Sequence, residues 1–164
     1  MHARLVAALA AAALISTLAA VTPASAADTA PSPAPAAEKD PLAAAREQIA
    51  AKRWPAAIAE LKKVNASGSA DWNNLMGYSM RKQTPPDLDA SERYYNEALR
   101  IDPRHRGTLE YSGELYLMRG DLAKAEQRLA ALDKLCTLSC EEYTDLKKAI
   151  AAYKANGNKA VSAY

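Results

Sequence analysis

Apolar residues recur every three or four positions along residues 41–155, which is the spacing that places side chains on one face of an α-helix. The pattern is interrupted at Pro85-Pro86, at Gly120 and at Asn156-Gly157. Proline cannot continue a helix, and glycine commonly ends one. The pattern therefore predicts an all-α domain of seven helices.

Three of the predicted helices repeat one another at an interval of 34 residues. Small side chains recur at Ala57, Ser91 and Ala125, and larger apolar residues recur four and seven positions later, on the same helical face. The other columns are Trp54, Leu88 and Leu122; Leu61, Tyr95 and Leu129; and Val64, Ala98 and Leu132. Four columns in register indicate a true internal repeat.

A second helix is predicted before each repeated helix. Two of these preceding helices contain a glycine, Gly77 and Gly113, at equivalent positions 36 residues apart. A glycine inside a helix costs roughly 1 kcal/mol relative to alanine. Glycine at both positions therefore predicts close contact with another helix.

In these features the chain resembles the tetratricopeptide repeat family, and in particular an exported bacterial protein of that family. The matching residues are Trp72, Leu75, Gly77, Tyr95, Ala98, Asp102, Pro103, Gly113, Tyr116, Gly120, Asp121, Ala125 and Leu129. The resemblance covers roughly residues 41–137 and implies a right-handed solenoid of three helical hairpins, at about 41–66, 70–103 and 104–137. The first hairpin departs from the family pattern, because it has Leu42 and Ile49 but neither glycine nor an aromatic residue in its first helix.

A seventh helix at 139–155 is predicted to cap the open apolar end of the stacked hairpins. Its apolar stripe comprises Tyr143, Leu146, Ile150 and either Ala149 or Tyr153. Ser139 and Glu142 have the spacing of a capping box at its start. Residues 156–164 are then a short tail.

The first 26 residues have the pattern of a secretory signal peptide. Arg4 is followed by an apolar run from Leu5 to about Val21 and then by Ala24-Ser25-Ala26, a small-residue cleavage site. Residues 27–40, rich in proline and alanine, are predicted to be a disordered tether. We therefore expect a periplasmic or secreted protein, with no membrane insertion after cleavage.

Charge and composition argue against several classes of function. The chain has 21 Lys and Arg residues against 19 Asp and Glu, a balance that does not favour nucleic acid as partner. It lacks a glycine-rich phosphate loop and a nucleophile elbow. His105, the single histidine after the predicted cleavage site, is predicted to be solvated at a helix start. These features predict a non-enzymatic protein without a cofactor.

The two cysteines, Cys136 and Cys140, bracket the turn before the capping helix, one at the end of the preceding helix and one in the first turn of the cap. An exported chain permits a disulfide there, and a turn brings the Cα atoms close enough to form one. Two alternatives remain: a reactive thiol pair, since a helix N-terminus lowers a thiol pKa, and a site for a soft metal such as Cu(I). The spacing is one residue longer than the Cys-x-x-Cys redox motif, so we predict a structural disulfide between Cys136 and Cys140.

The resemblance implies that a protein or peptide partner binds in a concave groove lined by the first helix of each hairpin. In these helices Trp72, Leu75, Met76, Ser79 and Met80, and then Leu109, Ser112, Gly113 and Tyr116, form the predicted packed sides. The adjacent stripe is predicted to bind the partner, and it comprises Asn74, Tyr78, Arg81, Glu110, Glu114 and Leu117. It lacks the clustered Lys and Asn with which some members of the tetratricopeptide repeat family bind a peptide C-terminal carboxylate, so the resemblance implies an internal segment or a folded surface as the ligand.

Overall fold

The computed structural model describes residues 40–160, and this part of the chain contains seven α-helices and no strand. The helices are α1 (Ala43–Ala50), α2 (Trp54–Val64), α3 (Ala70–Lys82), α4 (Leu88–Ile101), α5 (Arg106–Met118), α6 (Leu122–Leu135) and α7 (Glu141–Ala155). The predicted all-α class and number of helices are thus confirmed for these residues. The predicted signal peptide (1–26), nearly all of the tether (27–40) and the end of the tail lie outside the described residues.

The helix ends follow from local chemistry. The side chains of Ser69, Asp87 and Asp121 each accept a hydrogen bond from a backbone N–H in the first turn of the helix that follows. Each bond satisfies one of the N–H groups that a helix start leaves without a partner. Gly120, with φ +78°, forms the turn that separates α5 from α6, and such a backbone conformation costs glycine little.

Neighbouring helices pack against one another along the whole described chain. The pairs α1–α2, α3–α4 and α5–α6 are in contact, and each pair also contacts the next helix. In addition, α3 contacts both α1 and α5, and α5 contacts α7. As a result α1, α3, α5 and α7 are successive neighbours, and the surface they share is where the polar stripe was predicted.

The two predicted close contacts of glycine with another helix are confirmed. A Cβ atom built on Gly77 would lie 2.6 Å from the Tyr95 ring on α4, and one built on Gly113 would lie 2.6 Å from Leu146 on α7. At the first crossing the Ser91 hydroxyl also donates a hydrogen bond of 2.7 Å to the Gly77 carbonyl. Glycine at these two positions therefore permits the helices to approach closely, and at the first crossing Ser91, a small residue of the 34-residue repeat, bonds to the glycine backbone.

The predicted packed sides of the first helices are also buried. Trp72, Leu75, Met76 and Ser79 on α3 are buried, as are Leu109, Ser112, Gly113 and Tyr116 on α5, while Met80 is half-buried. The Trp72 indole Nε1–H donates a hydrogen bond of 2.7 Å to the Leu61 carbonyl at the end of α2. This bond joins the first hairpin to the second.

The predicted capping box at the start of α7 is wrong. The N-cap residue is Cys140, not Ser139, and its side chain caps no N–H group. Because Ser139 lies one residue before the N-cap, its hydroxyl pairs with the Thr144 hydroxyl at 2.9 Å instead. Cys136 is likewise the C-cap of α6 rather than part of its last turn. The cysteine pair nevertheless brackets the turn, as expected.

Within residues 40–160 none of the helices combines the length and the apolar character that crossing a lipid bilayer requires.

Candidate functional site

A polar cleft of about 410 Å³ lies between α3, α5 and α7; we call it the acidic cleft. Its lining comprises Tyr78 and Lys82 from α3; Gly107, Glu110, Tyr111 and Glu114 from α5; and Glu141, Glu142 and Asp145 from α7. Five carboxylates thus face one another across it, with Lys82 as the cation of the lining.

Two tyrosines form an aromatic floor in this cleft. The rings of Tyr78 and Tyr111 have their centroids 4.6 Å apart with a tilt of 36°. Trp54, at the start of α2, meets the Tyr78 ring edge-on at 5.7 Å. Contacts of this kind stabilise aromatic pairs by about 0.5–1.5 kcal/mol beyond simple burial, so the floor is held in place by its own packing.

The guanidinium group of Arg81 packs against both tyrosine rings of this floor from the interior of the protein. Its guanidinium carbon lies 5.5 Å from the centroid of the Tyr78 ring and 5.8 Å from that of Tyr111. The Arg81 side chain has no exposed surface, and its Nη2 donates to Glu114 Oε2 at 2.5 Å. A buried charge needs such a partner. One carboxylate of the cleft is therefore committed to neutralising Arg81.

Tyr95 of α4 lies close to Arg81 and is almost completely buried. Burial raises the pKa of the Tyr95 hydroxyl to about 12, and the nearby Arg81 charge opposes part of that increase. The hydroxyl therefore stays protonated at any pH at which the protein would function.

Glu110 differs from the other acids of the cleft in its burial and in its lack of an ion-pair partner. It is only 9% exposed, and within the described residues it makes no hydrogen bond and no ion pair. Burial raises the pKa of the Glu110 carboxyl to about 8, and the charges of Glu114, Asp145 and Glu142 raise it further, while Arg81 opposes them. An ionised Glu110 is therefore costly in the free protein.

Counter-charges for the three carboxylates of α7 lie at the edge of the cleft or are lacking. Glu142 is 3.5 Å from Arg106, and Asp145 is 3.0 Å from Lys148 on the same helix. Glu141 has no ion pair among the described residues and is exposed. Pairs that face solvent in this way contribute little, so the cleft keeps a negative potential.

The structure brings three of the six predicted groove residues together. Tyr78, Glu110 and Glu114 all line the acidic cleft. Asn74 is buried beside it, where its Oδ1 accepts a hydrogen bond of 3.1 Å from the Thr108 hydroxyl.

The expectation that Arg81 and Leu117 belong to an accessible stripe is wrong. Arg81 lies beneath the tyrosines, and Leu117 is a fully buried member of the core. Helical spacing places a residue on a face, but it does not show whether a neighbouring helix covers that face.

Six of the nine lining residues are not among the predicted groove residues. They are Lys82, Gly107, Tyr111 and the three acids of α7, of which only Glu142 has a predicted role, in the capping box. One signal was present in the sequence: Glu141, Glu142 and Asp145 share a face at spacings of three and four. That this face lies opposite Glu110 follows only from the contact of α7 with α5.

His105 is not a solvated residue, contrary to expectation. It is the N-cap of α5, where its Nδ1 accepts a hydrogen bond from the Thr108 N–H at 3.1 Å. Its Nε2 lies 2.9 Å from Asp71 Oδ1 on α3. His105 therefore helps to join α5 to α3.

The predicted disulfide between Cys136 and Cys140 is confirmed, with the Cα atoms 5.7 Å apart. It closes the turn that leads directly into Glu141 and Glu142 of the cleft. On the chain-entropy model a loop this small is worth about 2 kcal/mol at most. Among the described residues no group of three or more His, Cys, Asp or Glu is arranged to hold a metal ion.

Comparisons with protein-family models, curated proteins and solved structures found no match to this chain. Function is therefore inferred from the geometry and charge of the acidic cleft.

Proposed function

We propose that this chain is an exported, TPR-like solenoid that binds a protein or peptide partner in the groove formed by α1, α3, α5 and α7, without catalysing a reaction. The packing of each hairpin on the next supports this architecture. So do contacts between α3 and α5 that join residues 33 or 34 positions apart. These are Asp71 with His105, Asn74 with Thr108, Tyr78 with Tyr111, and Arg81 with Glu114.

The observation that carries the proposal is the half-buried tyrosine pair at the centre of this surface. Tyr78 and Tyr111 are held rigidly by Trp54 and Arg81, and part of each ring faces the cleft. A pre-positioned tyrosine supplies both contact area and a hydroxyl at little cost in conformational entropy. Such residues often carry much of the affinity of an interface.

The cysteine pair supports the same proposal as a structural element. In the disulfide form neither sulfur is a free thiol, so the alternative roles in thiol exchange or copper binding would need a reduction step first. We propose instead that the bond holds the start of α7, and with it two acids of the cleft, against the rest of the domain.

The test is substitution of Tyr78 by alanine, with Tyr94→Ala as a matched control. Each tyrosine is half-buried and meets a tryptophan edge-on, at 5.7 Å for Trp54–Tyr78 and 5.8 Å for Trp72–Tyr94, but Tyr94 lies on α4, outside the cleft. We expect Tyr78→Ala to weaken capture of the bound protein from an envelope extract at least tenfold, which corresponds to about 1.4 kcal/mol. Tyr94→Ala should leave capture unchanged.

Circular dichroism must show that both variants keep their helices. Equal capture by wild type and a folded Tyr78→Ala variant would place the binding surface elsewhere. Glu114 is a poor choice for this test, because its removal leaves Arg81 buried without its counter-charge and destabilises the fold.

A further inference from the structure

Glu110 is a buried carboxylate without a partner. Nine-tenths of the residue is removed from solvent, and it has no hydrogen bond or ion pair among the described residues, but its carboxyl oxygens are open to the cleft. A carboxylate with so little solvent around it is costly to ionise, and an opposite charge close by offsets that cost. Glu110 lines the cleft, so a ligand in the cleft can supply the missing donor.

The charged groups around Glu110 indicate which charge such a ligand would carry. Glu142 and Asp145 of α7 lie across from Glu110, and their own counter-ions sit at the protein surface. A carboxylate ligand would be repelled by all of these groups. A cation would interact favourably with them and would pair with Glu110.

The two tyrosines of the aromatic floor indicate which kind of cation the cleft would bind. Tyr78 and Tyr111 present aromatic surface beside Glu110, and an ammonium or guanidinium group is attracted to such a surface. The protein's own Lys82 already places its Nζ 5.8 Å from the Tyr78 ring centroid, so a cation is accommodated over this surface. The aromatic surface continues beyond the cleft to Trp54 of α2. A small free cation at Glu110 would not contact Trp54. A peptide, in contrast, can place its basic side chain at Glu110 and its neighbouring residues on Tyr78 and Trp54.

We propose that the acidic cleft receives a lysine or arginine side chain from an extended segment of the partner protein, with Glu110 as its ion-pair partner and the tyrosine floor beneath its methylene groups. This inference rests on the proposed function, because it specifies the ligand of the same groove.

The first experiment selects random peptides by display on the purified protein, with Tyr78→Ala as the counter-selection. If the proposal holds, the enriched peptides share one Lys or Arg at a common position. Enrichment of peptides that lack such a residue would overturn this inference and leave the proposed function standing. Failure to enrich any peptide over the Tyr78→Ala background would also overturn this inference, and the proposed function would then depend on the capture experiment with Tyr78→Ala alone.

The second experiment measures the affinity of the best basic peptide by calorimetry for wild type, Glu110→Gln and Glu126→Gln. Glu126 is a carboxylate on the surface of α6 that pairs with Lys154, outside the cleft. Glu110→Gln should raise Kd at least tenfold and Glu126→Gln should not change it. Replacing the basic residue of the peptide by norleucine should remove the difference between wild type and Glu110→Gln.

Two results would contradict the proposal. One is an unchanged Kd for folded Glu110→Gln and also for Glu142→Gln, which tests the facing helix. The other is binding of free spermidine that depends on Glu110 and is tighter than that of any selected peptide, which would make the site one for polyamines.

Discussion

At the scale of single residues, the unusual feature is an acid whose burial favours its neutral form. Glu110 faces charged or titratable groups from every helix around it. They are Tyr78, Arg81 and Lys82 on α3, Tyr111 and Glu114 on α5, and Glu141, Glu142 and Asp145 on α7. The acids outnumber the cations, so burial and charge act on Glu110 in the same direction.

Glu110 therefore gives the fold a specific dependence on pH. Its pKa is raised from 4.5 to about 8, so between these values the folded protein holds a proton that the unfolded chain releases. Stability from this group is complete below about pH 4.5, falls as the pH rises and is lost above about pH 8. An isosteric Gln, which does not titrate, removes this dependence.

We expect Glu110→Gln to match wild type at pH 4 and to be more stable at pH 9 by about 1–3 kcal/mol, because Gln carries no charge that folding must remove from water. This is less than the full pKa shift would give at about 1.4 kcal/mol per unit, since the carboxyl oxygens are open to the cleft and solvent screens part of the charge. Urea unfolding at the two pH values measures the difference. Parallel pH profiles for the two proteins would show that Glu110 is already ionised and solvated in the free fold.

At the scale of helix pairs, the crossing of α3 and α4 depends on the missing side chain of Gly77. Tyr95 is 1% exposed, and the Ser91–Gly77 hydrogen bond fixes the spacing of the two backbones. Helix propensity alone would favour alanine at position 77, but packing opposes it.

Gly77→Ala is expected to destabilise the protein by about 1–2 kcal/mol. Overpacking costs about 1–3 kcal/mol, and the gain in helix propensity returns up to about 1 kcal/mol. Gly68→Ala is the matched control, because nothing lies within 4 Å of a Cβ at that position, and it should change stability by less than about 0.5 kcal/mol. Thermal unfolding compares the two; equal midpoints would mean that α4 can move away at no cost.

At the scale of the whole molecule, α7 covers the end of the core and completes the cleft. Leu146 is fully buried against Gly113 of α5, and Ile150 and Tyr153 extend the same contact. The helix therefore has two roles, since its apolar face covers the core while its first two turns supply three acids to the cleft, Glu141, Glu142 and Asp145.

Leu146→Ala should destabilise the domain by about 2–5 kcal/mol, the usual cost of truncating a buried leucine. Leu138, eight residues earlier, is 85% exposed, so Leu138→Ala should change stability by less than about 0.5 kcal/mol. Denaturant unfolding followed by circular dichroism measures both. A small effect of Leu146→Ala would mean that α7 is not part of the cooperative unit.

Much of the fold was predictable from sequence because its determinants are local. The apolar period, the breaks at Pro85-Pro86 and Asn156-Gly157, and the acidic caps act within a few residues, and the observed helices agree with them closely. The pairing of Cys136 with Cys140 was predictable for the same reason. The N-cap of α7 was wrong because Ser139 and Cys140 are adjacent residues that compete for one position, and their sequence does not say which takes it.

The sequence by itself determined the seven helices, the inward faces of α3 and α5, and the need for glycine at two crossings, since these follow from helical periodicity and side-chain size. Only the tertiary structure decided that Arg81 is buried beneath two tyrosines, that Leu117 belongs to the core, and that Glu110 lacks a partner. These properties depend on which distant helices meet. The burial and the electrostatic environment of a residue in the cleft depend on neighbours from α3, α5 and α7 together. They therefore cannot be predicted from the sequence of any one helix.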